Sequence, residues 1–531
     1  MTLSRLRLAG AAAIAAATLL AALPPARAAG PAIQADGPPA QTVGIAVPAG
    51  RIDAALGRLD DLVAAILDRS KVPGLAVAVV RDGRTVYAKG FGVRRVGAPE
   101  TVDSETVFQI ASLSKAVGAT VVAAQVTAGQ VAWDMPVTTA LPWFALADPW
   151  VTRHVTVGDL YAHRSGLPDH AGDDLEDLGF GRQAILERLR LLPLAPFRAS
   201  YAYTNFGLTA AAEAVAAASG MDWATLSETA LYAPLGMTRT SSRFADFAGR
   251  DNRADGHTLT PEGFRPLFVR QPDAQSPAGG VSASVRDMAT WMSLVLQGGE
   301  AGGRQLIDTQ ALLPAITAEV IASPTPAATA RTELYGFGFG VGSDPSGRTV
   351  LTHSGGFYQG TGTNFLMIPS LGLGIVVLSN GSPVGAVEAL GREFADLVQY
   401  GEITRDWYAG YNPRIMPMSA PAGSLADMAA PASPAPPLPL ADYAGDYENA
   451  YFGTLQVVEQ DGGLAAILGP KGMTFPLRHW DGNRFAFVPA GENAPLGSLS
   501  AVDFGQDAAG RIASVTVEHL NAAGQGRFLR P

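Results

Sequence analysis

Residues 112–124 have the sequence SLSKAVGATVVAA. Residues three apart share a face of a helix, so a helix that begins here brings the Ser112 hydroxyl and the Lys115 amine together. The amino terminus of that helix carries partial positive charge, which favours an alkoxide on Ser112. The residues after Lys115 are apolar on nearly every face, which predicts a buried helix. Because a buried amine loses proton affinity, Lys115 is predicted to act as a base toward Ser112.

Lysine is scarce in this chain. Of its 38 Lys and Arg residues only four are Lys, at positions 71, 89, 115 and 471. Arg therefore supplies nearly all the positive charge, and Arg cannot lose its proton in a protein whereas Lys can. A Lys inside an apolar helix indicates acid–base chemistry. The alternative is a surface helix from which Lys115 extends to solvent.

A second polar segment, Tyr203-Thr204-Asn205, lies before an apolar helix predicted from Leu208 to Ser219. A phenol close to cations ionises more easily, so Tyr203 is predicted to share the proton of Ser112 with Lys115. The amide of Asn205 is expected to orient a substrate carbonyl.

A third segment, His353-Ser354-Gly355-Gly356, closes a strand predicted over residues 350–352. Its glycines allow the close approach of a substrate backbone. We predict that all four residues bind substrate. The N–H groups of Ser112 and Gly356 are expected to form an oxyanion hole.

The other histidines are interpreted as structural. His163 lies in a turn after a helix-like run, and the rest stand alone along the chain: His154, His170, His257, His479 and His519. The sequence has no His-x-x-x-His pair and no tight carboxylate cluster, so we expect neither a catalytic metal nor another cofactor.

The amino terminus has the pattern of a secretory signal. Arg5 and Arg7 precede an Ala/Leu-rich apolar run, and Ala26-Arg27-Ala28 supplies a small-x-small cleavage pattern. We predict a signal peptide over residues 1–28 and a disordered segment over 29–49. The mature protein is expected to be periplasmic or secreted, with no membrane span after cleavage.

Composition excludes several classes of function. The formal net charge of −10, without a local basic run, argues against nucleic-acid binding. The chain has no Cys, so neither disulfides nor a Cys nucleophile contribute. A length of 531 residues predicts two folded units.

The order of elements indicates an α+β fold. Helices are predicted over residues 51–70, 113–128, 208–219, 286–297 and 384–400, and strands over 75–80, 85–89, 350–352, 364–368 and 374–378. Strands at both ends, with helices between them, predict a sheet that joins the two ends of a domain spanning residues 50–410.

The carboxyl-terminal part differs in composition. Residues 411–440 contain eight Pro, which predicts a stiff, extended linker. Residues 441–531 alternate in polarity in short runs separated by turns, such as 454–458, 485–488 and 512–517. This pattern is typical of a small antiparallel β-barrel.

The three polar motifs, in this order, resemble the serine β-lactamase and penicillin-binding-protein superfamily, specifically its class C-like branch. That branch contains class C β-lactamases, DD-peptidases, D-aminopeptidases and esterases. Further similar segments lie at residues 160–168, 233–240 and 277–281, so the resemblance spans residues 51–405. It implies an antiparallel sheet with helices, an all-helical subdomain, and an acyl-enzyme on Ser112 with Lys115 and Tyr203 as shared base and acid. Residues 441–531 resemble the lipocalin-like domain appended to some of these peptidases.

Three functions follow from the resemblance. The first is an exported serine hydrolase that acts on a small-molecule or peptide substrate. It is either a peptidase, which includes peptidases selective for D-amino acids, or an esterase. The second is a class C-like β-lactamase. Penicillin-directed members carry a Lys where this chain has His353. A largely neutral His does not bind a carboxylate by charge, so this difference favours the peptidase or esterase. The third is a non-catalytic peptidoglycan-binding homologue, which the intact Ser112, Lys115 and Tyr203 oppose.

Overall fold

The computed structural model describes residues 46–531. The predicted signal peptide lies outside these residues, as does the predicted disordered segment up to residue 45. In the described part of the chain, no helix combines the length and the apolar character needed to cross a bilayer.

The first domain contains strands on both sides of a helical middle section. The strands are β1 (Gly74–Arg81), β2 (Arg84–Gly92), β3 (Val107–Gln109), β4 (Thr258–Thr260), β5 (Gly263–Arg265), β6 (Ser282–Ser284), β7 (Glu300–Ala301), β8 (Arg304–Gln305), β9 (Val320–Ser323), β10 (Glu333–Tyr335), β11 (Gly340–Ser343), β12 (Thr349–Phe357), β13 (Thr361–Ile368) and β14 (Leu373–Ser379).

The main sheet joins the two ends of this domain, as predicted. Among the described residues, eight strands form it in the order β2-β1-β14-β13-β12-β11-β10-β9. β1 pairs with β14 in antiparallel register, with Leu75 opposite Ser379. Every residue from Leu75 to Val80 is buried. Because successive strand residues point to opposite faces, both faces of the sheet are covered here.

Helices cover the sheet and form the middle section. They are α1 (Arg51–Leu56), α2 (Leu59–Ser70), α3 (Leu113–Thr127), α4 (Val137–Ala140), α5 (Pro149–His154), α6 (Val157–Tyr161), α7 (Asp173–Asp177), α8 (Arg182–Arg188), α9 (Asn205–Ala218), α10 (Trp223–Ser227), α11 (Ala233–Leu235), α12 (Phe244–Ala248), α13 (Ser276–Gly279), α14 (Val285–Leu296), α15 (Thr309–Leu312), α16 (Ala386–Gln399) and α17 (Trp407–Ile415). α14 packs on β1, β2 and β14, and α16 packs on β13 and β14.

The second domain is a closed antiparallel barrel. After the short helix α18 (Leu440–Tyr443), its strands are β15 (Gly445–Asn449), β16 (Gly453–Gln460), β17 (Gly463–Leu468), β18 (Met473–Asp481), β19 (Arg484–Phe487), β20 (Ser500–Gln506), β21 (Ile512–Val517) and β22 (Arg527–Leu529). Buried aromatic rings fill it, and Tyr443 lies 4.8 Å from Phe504 between ring centroids.

Three predicted elements differ from the structure. The helix predicted over 51–70 is interrupted between α1 and α2 at Gly57. β12 continues through His353-Ser354-Gly355-Gly356 instead of ending before it, because β13 pairs with these residues as far as Phe357. The linker predicted to be extended begins in helix α17, which Asp406 caps by accepting a hydrogen bond from the Ala409 N–H at 2.9 Å.

The barrel packs against the first domain. The Tyr451 hydroxyl donates a hydrogen bond to Asp174 on α7 at 3.2 Å. Arg188 on α8 donates to the carbonyl of Tyr451 at 3.0 Å. The barrel segment that follows β19 also contacts α7, through hydrogen bonds from the N–H groups of Glu492 and Asn493 to Asp177, both at 2.9 Å. These contacts hold one end of the barrel beside the helical section.

Candidate active site

Ser112 stands at the start of α3, where the sequence places it. It is the residue before the first helical turn and adopts a helical conformation, with φ −67°. The preceding residue, Ala111, has φ 48°, a left-handed conformation that non-glycine residues rarely adopt. The loop is held in place by Thr363 on β13, whose hydroxyl donates to the Ile110 carbonyl at 2.8 Å. The turn therefore presents the Ser112 hydroxyl at a helix amino terminus.

The Lys115 amine is completely buried and lies beside Ser112. Its Nζ is 3.1 Å from the Ser112 Oγ, 2.7 Å from the Asn205 Oδ1 and 2.9 Å from the Ala278 carbonyl oxygen. Burial lowers the pKa of Lys115 to about 7, and the charge of Asp173 opposes this shift. A neutral amine has two hydrogens and one lone pair. Because Asn205 and Ala278 offer only acceptors to the two hydrogens, the lone pair points to Ser112.

A chain of hydrogen bonds fixes the Asn205 amide. Its Nδ2 donates to the Asp173 Oδ2 at 2.8 Å, so its oxygen must face Lys115. The same Asp173 oxygen is 2.9 Å from the His170 Nδ1. The Asn205 amide thus holds the Lys115 amine through its oxygen and Asp173 through one N–H. Its second N–H is not used by these contacts and the residue lines the cavity, so its role in orienting a substrate carbonyl stays a prediction.

Tyr203 completes the group around Ser112. Lys115 Nζ lies 4.4 Å from the centre of the Tyr203 ring, and the phenol hydrogen-bonds Ser112. Burial raises the pKa of Tyr203 well above its usual value, although the hydrogen bond with Ser112 works in the opposite direction. The expectation that this phenol ionises easily was wrong. A phenol that keeps its proton is a hydrogen-bond donor.

Strand β12 offers a free edge next to Ser112. β11 pairs with β12 only as far as Thr352, whereas β13 pairs with it to Phe357. A Cβ atom on Gly355 would lie 2.9 Å from the Ser112 backbone nitrogen and 2.6 Å from the Ile110 carbonyl oxygen. Only glycine lets the strand approach this closely. An extended substrate that lies along this edge meets Ser112.

His353 is placed differently from its neighbours in β12. Its Nε2 accepts a hydrogen bond from the Tyr335 hydroxyl at 2.8 Å, and its Nδ1 donates to the Ser354 carbonyl at 2.7 Å. Burial, with the charge of Lys115, lowers the pKa of His353 to about 3. His353 is thus neutral, as expected. In the described structure His353 does not line the cavity next to Ser112, and both of its ring nitrogens are hydrogen-bonded within the protein, so it is not placed to contact a substrate there as predicted.

A cavity of about 770 Å³ opens at Ser112, and parts of the chain far apart in sequence line it. Five residues that were predicted as catalytic or substrate-binding line the cavity: Tyr203, Asn205, Ser354, Gly355 and Gly356. Further walls come from α16, from the segment after it, and from the barrel: Glu388, Tyr411, Arg414, Met418, Glu492, Asn493 and Pro495. The segment predicted as a linker and the barrel thus form part of the cleft.

A beta-lactamase family profile matches residues 59–399, well over half of the chain. The chain belongs to the beta-lactamase family. A second profile, for a domain of unknown function (DUF3471), matches residues 429–528, the region of the barrel.

Relatives of this beta-lactamase-family protein are named as hydrolases of several kinds. "Unguisins hydrolase ungD" of Aspergillus violaceofuscus is 28% identical over 423 residues, covering 73% of this chain and 74% of that protein. A D-aminopeptidase of Brucella anthropi is 29% identical over 251 residues, 45% of this chain and 46% of the relative. Esterase EstB of Burkholderia gladioli is 30% identical over 376 residues, 62% of this chain and 92% of the relative. The chain is thus part of a serine hydrolase family that includes peptidases and esterases.

The fold of the beta-lactamase-family protein is found in a solved structure. The octameric penicillin-binding protein homologue from Pyrococcus abyssi superposes with a TM-score of 0.58 at 20% identity. The match covers 90% of this chain and 100% of the other. At this identity the comparison concerns the fold alone.

Sequence reasoning missed several residues of the site. His170 was interpreted as an isolated residue, yet it lines the cavity and contacts Asp173. Asp173 and Glu388 lie far along the chain from Ser112 and belong to no motif with a characteristic spacing. Glu492 belongs to the other domain. Only the run of acidic residues at 173–177 offered a signal, and such runs are usually solvated surface.

Proposed function

We propose that this protein is an exported, periplasmic or secreted serine hydrolase that forms an acyl-enzyme on Ser112 and hydrolyses amide or ester bonds, as a peptidase or an esterase. The observation that carries the proposal is the buried Lys115 amine, whose lone pair points to the Ser112 oxygen at 3.1 Å. An amine with a pKa of about 7 is a base at neutral pH.

The reaction follows from the placement of these groups. Lys115 takes the Ser112 proton as the oxygen attacks the carbonyl carbon of a substrate lying along β12. The N–H groups of Ser112 and Gly356 stabilise the resulting oxyanion, and the close approach of Gly355 to Ser112 brings the two chain segments together. Collapse breaks the amide or ester bond. The leaving group takes a proton from Lys115 by way of Tyr203, and water then releases the acyl group by the reverse steps.

Two observations favour a peptidase or esterase over a β-lactamase. His353 carries no charge with which to bind a carboxylate. The relatives that support the proposal include a D-aminopeptidase and an esterase. A panel of D- and L-aminoacyl amides, short-chain esters and a chromogenic cephalosporin tests this preference. We expect turnover of an amide or ester and slow turnover of the cephalosporin.

Ser112→Ala tests the nucleophile. Intact mass spectrometry after treatment with a serine-directed phosphonate should show one adduct on the wild type and none on the variant, because only the reacting oxygen is removed. Ser200→Ala is the control, since that hydroxyl bonds only the nearby Pro196 carbonyl. It should be labelled like the wild type. An adduct that persists on Ser112→Ala assigns the nucleophile elsewhere.

A further inference from the structure

One acidic side chain in the cavity has no part in the proposed reaction. Glu388 lies in the first turn of α16, is 7% exposed and lines the cavity together with Ser354. The Ser354 hydroxyl hydrogen-bonds its carboxyl group. Ser354 itself accepts a hydrogen bond from the Asn364 amide at 3.1 Å, so its own hydrogen is directed to Glu388. The Glu388 Oε2 is buried and has no hydrogen-bond partner in the described residues.

None of the cations near the cavity pairs with Glu388 in the described structure, although Arg414, which also lines the cavity, is exposed and forms no ion pair there. Arg270 pairs with Glu176 at 2.5 Å. Lys115 is held by Asn205 and Ala278, and the Arg414 Nη1 donates to the Gly410 carbonyl at 2.7 Å. Within residues 46–531, Glu388 is in no ion pair. Burial without a cation raises the pKa of Glu388 to about 7. A buried carboxyl group in this state gains most from a ligand that carries positive charge.

We propose that Glu388 and Ser354 select substrates that carry an ammonium group at this end of the cleft, and that they disfavour a carboxylate there. The proposal rests on the proposed function of Ser112. The ammonium group donates to the Glu388 carboxyl group and forms a charge-assisted hydrogen bond. A carboxylate at the same place faces another carboxyl group and so is repelled.

The geometry limits where the ammonium group stands in the substrate. Ser354 and Gly356 are two residues apart on β12, about 7 Å along an extended strand. Gly356 is a proposed donor to the oxyanion. The ammonium group therefore lies roughly two backbone steps, or one short side chain, from the carbonyl that is cleaved.

Three matched boronic acids test the proposal on the full chain. Phenylboronic acids with a meta aminomethyl, hydroxymethyl or carboxyl group differ only in charge. The boron atom accepts the Ser112 oxygen with no leaving group, while Lys115 takes the hydroxyl proton. Dissociation constants measured by calorimetry should rank aminomethyl as tightest, by roughly tenfold over hydroxymethyl, with the carboxyl compound weakest.

The variant Glu388→Gln keeps the shape of the side chain and removes its charge. It should abolish the preference for the aminomethyl compound over the hydroxymethyl compound. Glu393→Gln is the matched control, because Glu393 lies on the same helix, is also 7% exposed and, in the described structure, does not line the cavity. It should keep the wild-type ranking.

Separate results overturn the two proposals. Adducts on Ser112 with no preference among the three charges, or an unchanged preference in Glu388→Gln, overturn the role of Glu388 and leave the serine hydrolase standing. Absence of binding by all three compounds overturns both. If Glu388→Gln does not fold, the wild-type ranking still decides: equal or tighter binding of the carboxyl compound overturns the cation preference.

Discussion

The proton affinity of Lys115 results from two opposing influences. Burial removes the amine from water and lowers its pKa, whereas the negative charge of Asp173 raises it. Asp173 reaches Lys115 through the Asn205 amide, which it also orients. A single carboxylate thus adjusts the strength of the base and the direction of its lone pair.

Lys115→Arg should lower kcat/KM by at least about two orders of magnitude, the usual scale of acid–base catalysis. The variant carries a permanent positive charge and has no proton to lose at neutral pH. Steady-state kinetics on the best ester or amide measure the effect. Lys89→Arg is the control, because Lys89 forms an exposed ion pair with Asp60. Wild-type rates in Lys115→Arg mean that another group is the base.

The pH dependence of kcat/KM should report Lys115. The amine acts as a base only when it is deprotonated, so kcat/KM should rise with pH and level off above about 7. Asp173→Asn should move this rise to lower pH, because it removes the charge that favours the protonated amine. Asp174→Asn, which alters the next carboxyl group, should leave it in place. A rise that does not move in Asp173→Asn contradicts the assignment.

The part of the site that could be predicted consists of residues that are close together in the sequence. Ser112 and Lys115 share a helix face by spacing alone, and the Ser112 Oγ and Lys115 Nζ lie 3.1 Å apart. Asp173 and Glu388 join them only through tertiary packing, which no spacing encodes. The ionisation of Tyr203 was predicted wrongly because desolvation, which depends on burial, raises its pKa more than the hydrogen bond with Ser112 lowers it.

At the level of elements, the contact between β12 and the loop before α3 builds the site. Sequence reasoning ended the strand before His353, because Ser and Gly have low strand propensity. Pairing with β13 extends β12 to Phe357. This is a tertiary contact, which the strand propensities of single residues do not predict. The helices α3, α14 and α16 begin and end close to their predicted bounds, because their apolar periodicity is local.

Gly355→Ala should separate β12 from the loop that carries Ser112. The added Cβ lies 2.4 Å from the Thr363 Oγ1 and 2.6 Å from the Ile110 carbonyl oxygen, so the backbone must move. We expect a loss of about 1–3 kcal/mol in the free energy of unfolding and slower phosphonate labelling. Gly342→Ala in β11 is the control, since its Cβ meets no atom within 4 Å. Equal labelling rates in both variants contradict the role of the close approach.

At the level of the whole molecule, the barrel and the segment before it form walls of the cavity. The Tyr358 hydroxyl accepts a hydrogen bond from the Leu496 N–H at 2.6 Å, and the Glu492 carboxylate accepts from the Tyr358 N–H. The pattern of residues 441–531 predicted the β-barrel of the second domain. It contained no information on where the barrel docks, because that depends on surfaces which the chain assembles only when folded.

Shortening the barrel segment 491–496 to two glycines should widen the cleft. We expect kcat/KM for bulky peptide or ester substrates to rise by several-fold relative to a small ester, while the small phosphonate labels Ser112 at the wild-type rate. Asp461→Gly in the two-residue turn that connects β16 and β17 is the control, because this turn does not line the cavity in the described structure. A uniform fall for all substrates would show that the segment supports the site and does not limit substrate size.

The pairing of β1 with β14 has a consequence for how the chain acquires its structure. Leu75 and Ser379 are adjacent in the sheet but about 300 residues apart in sequence, a separation that makes folding slow. During synthesis at the usual rate, β1 has no strand on that side for many seconds. Until β14 has been synthesised, the apolar run of β1 from Leu75 to Val80 is prone to aggregation. A chaperone that binds this run would protect it.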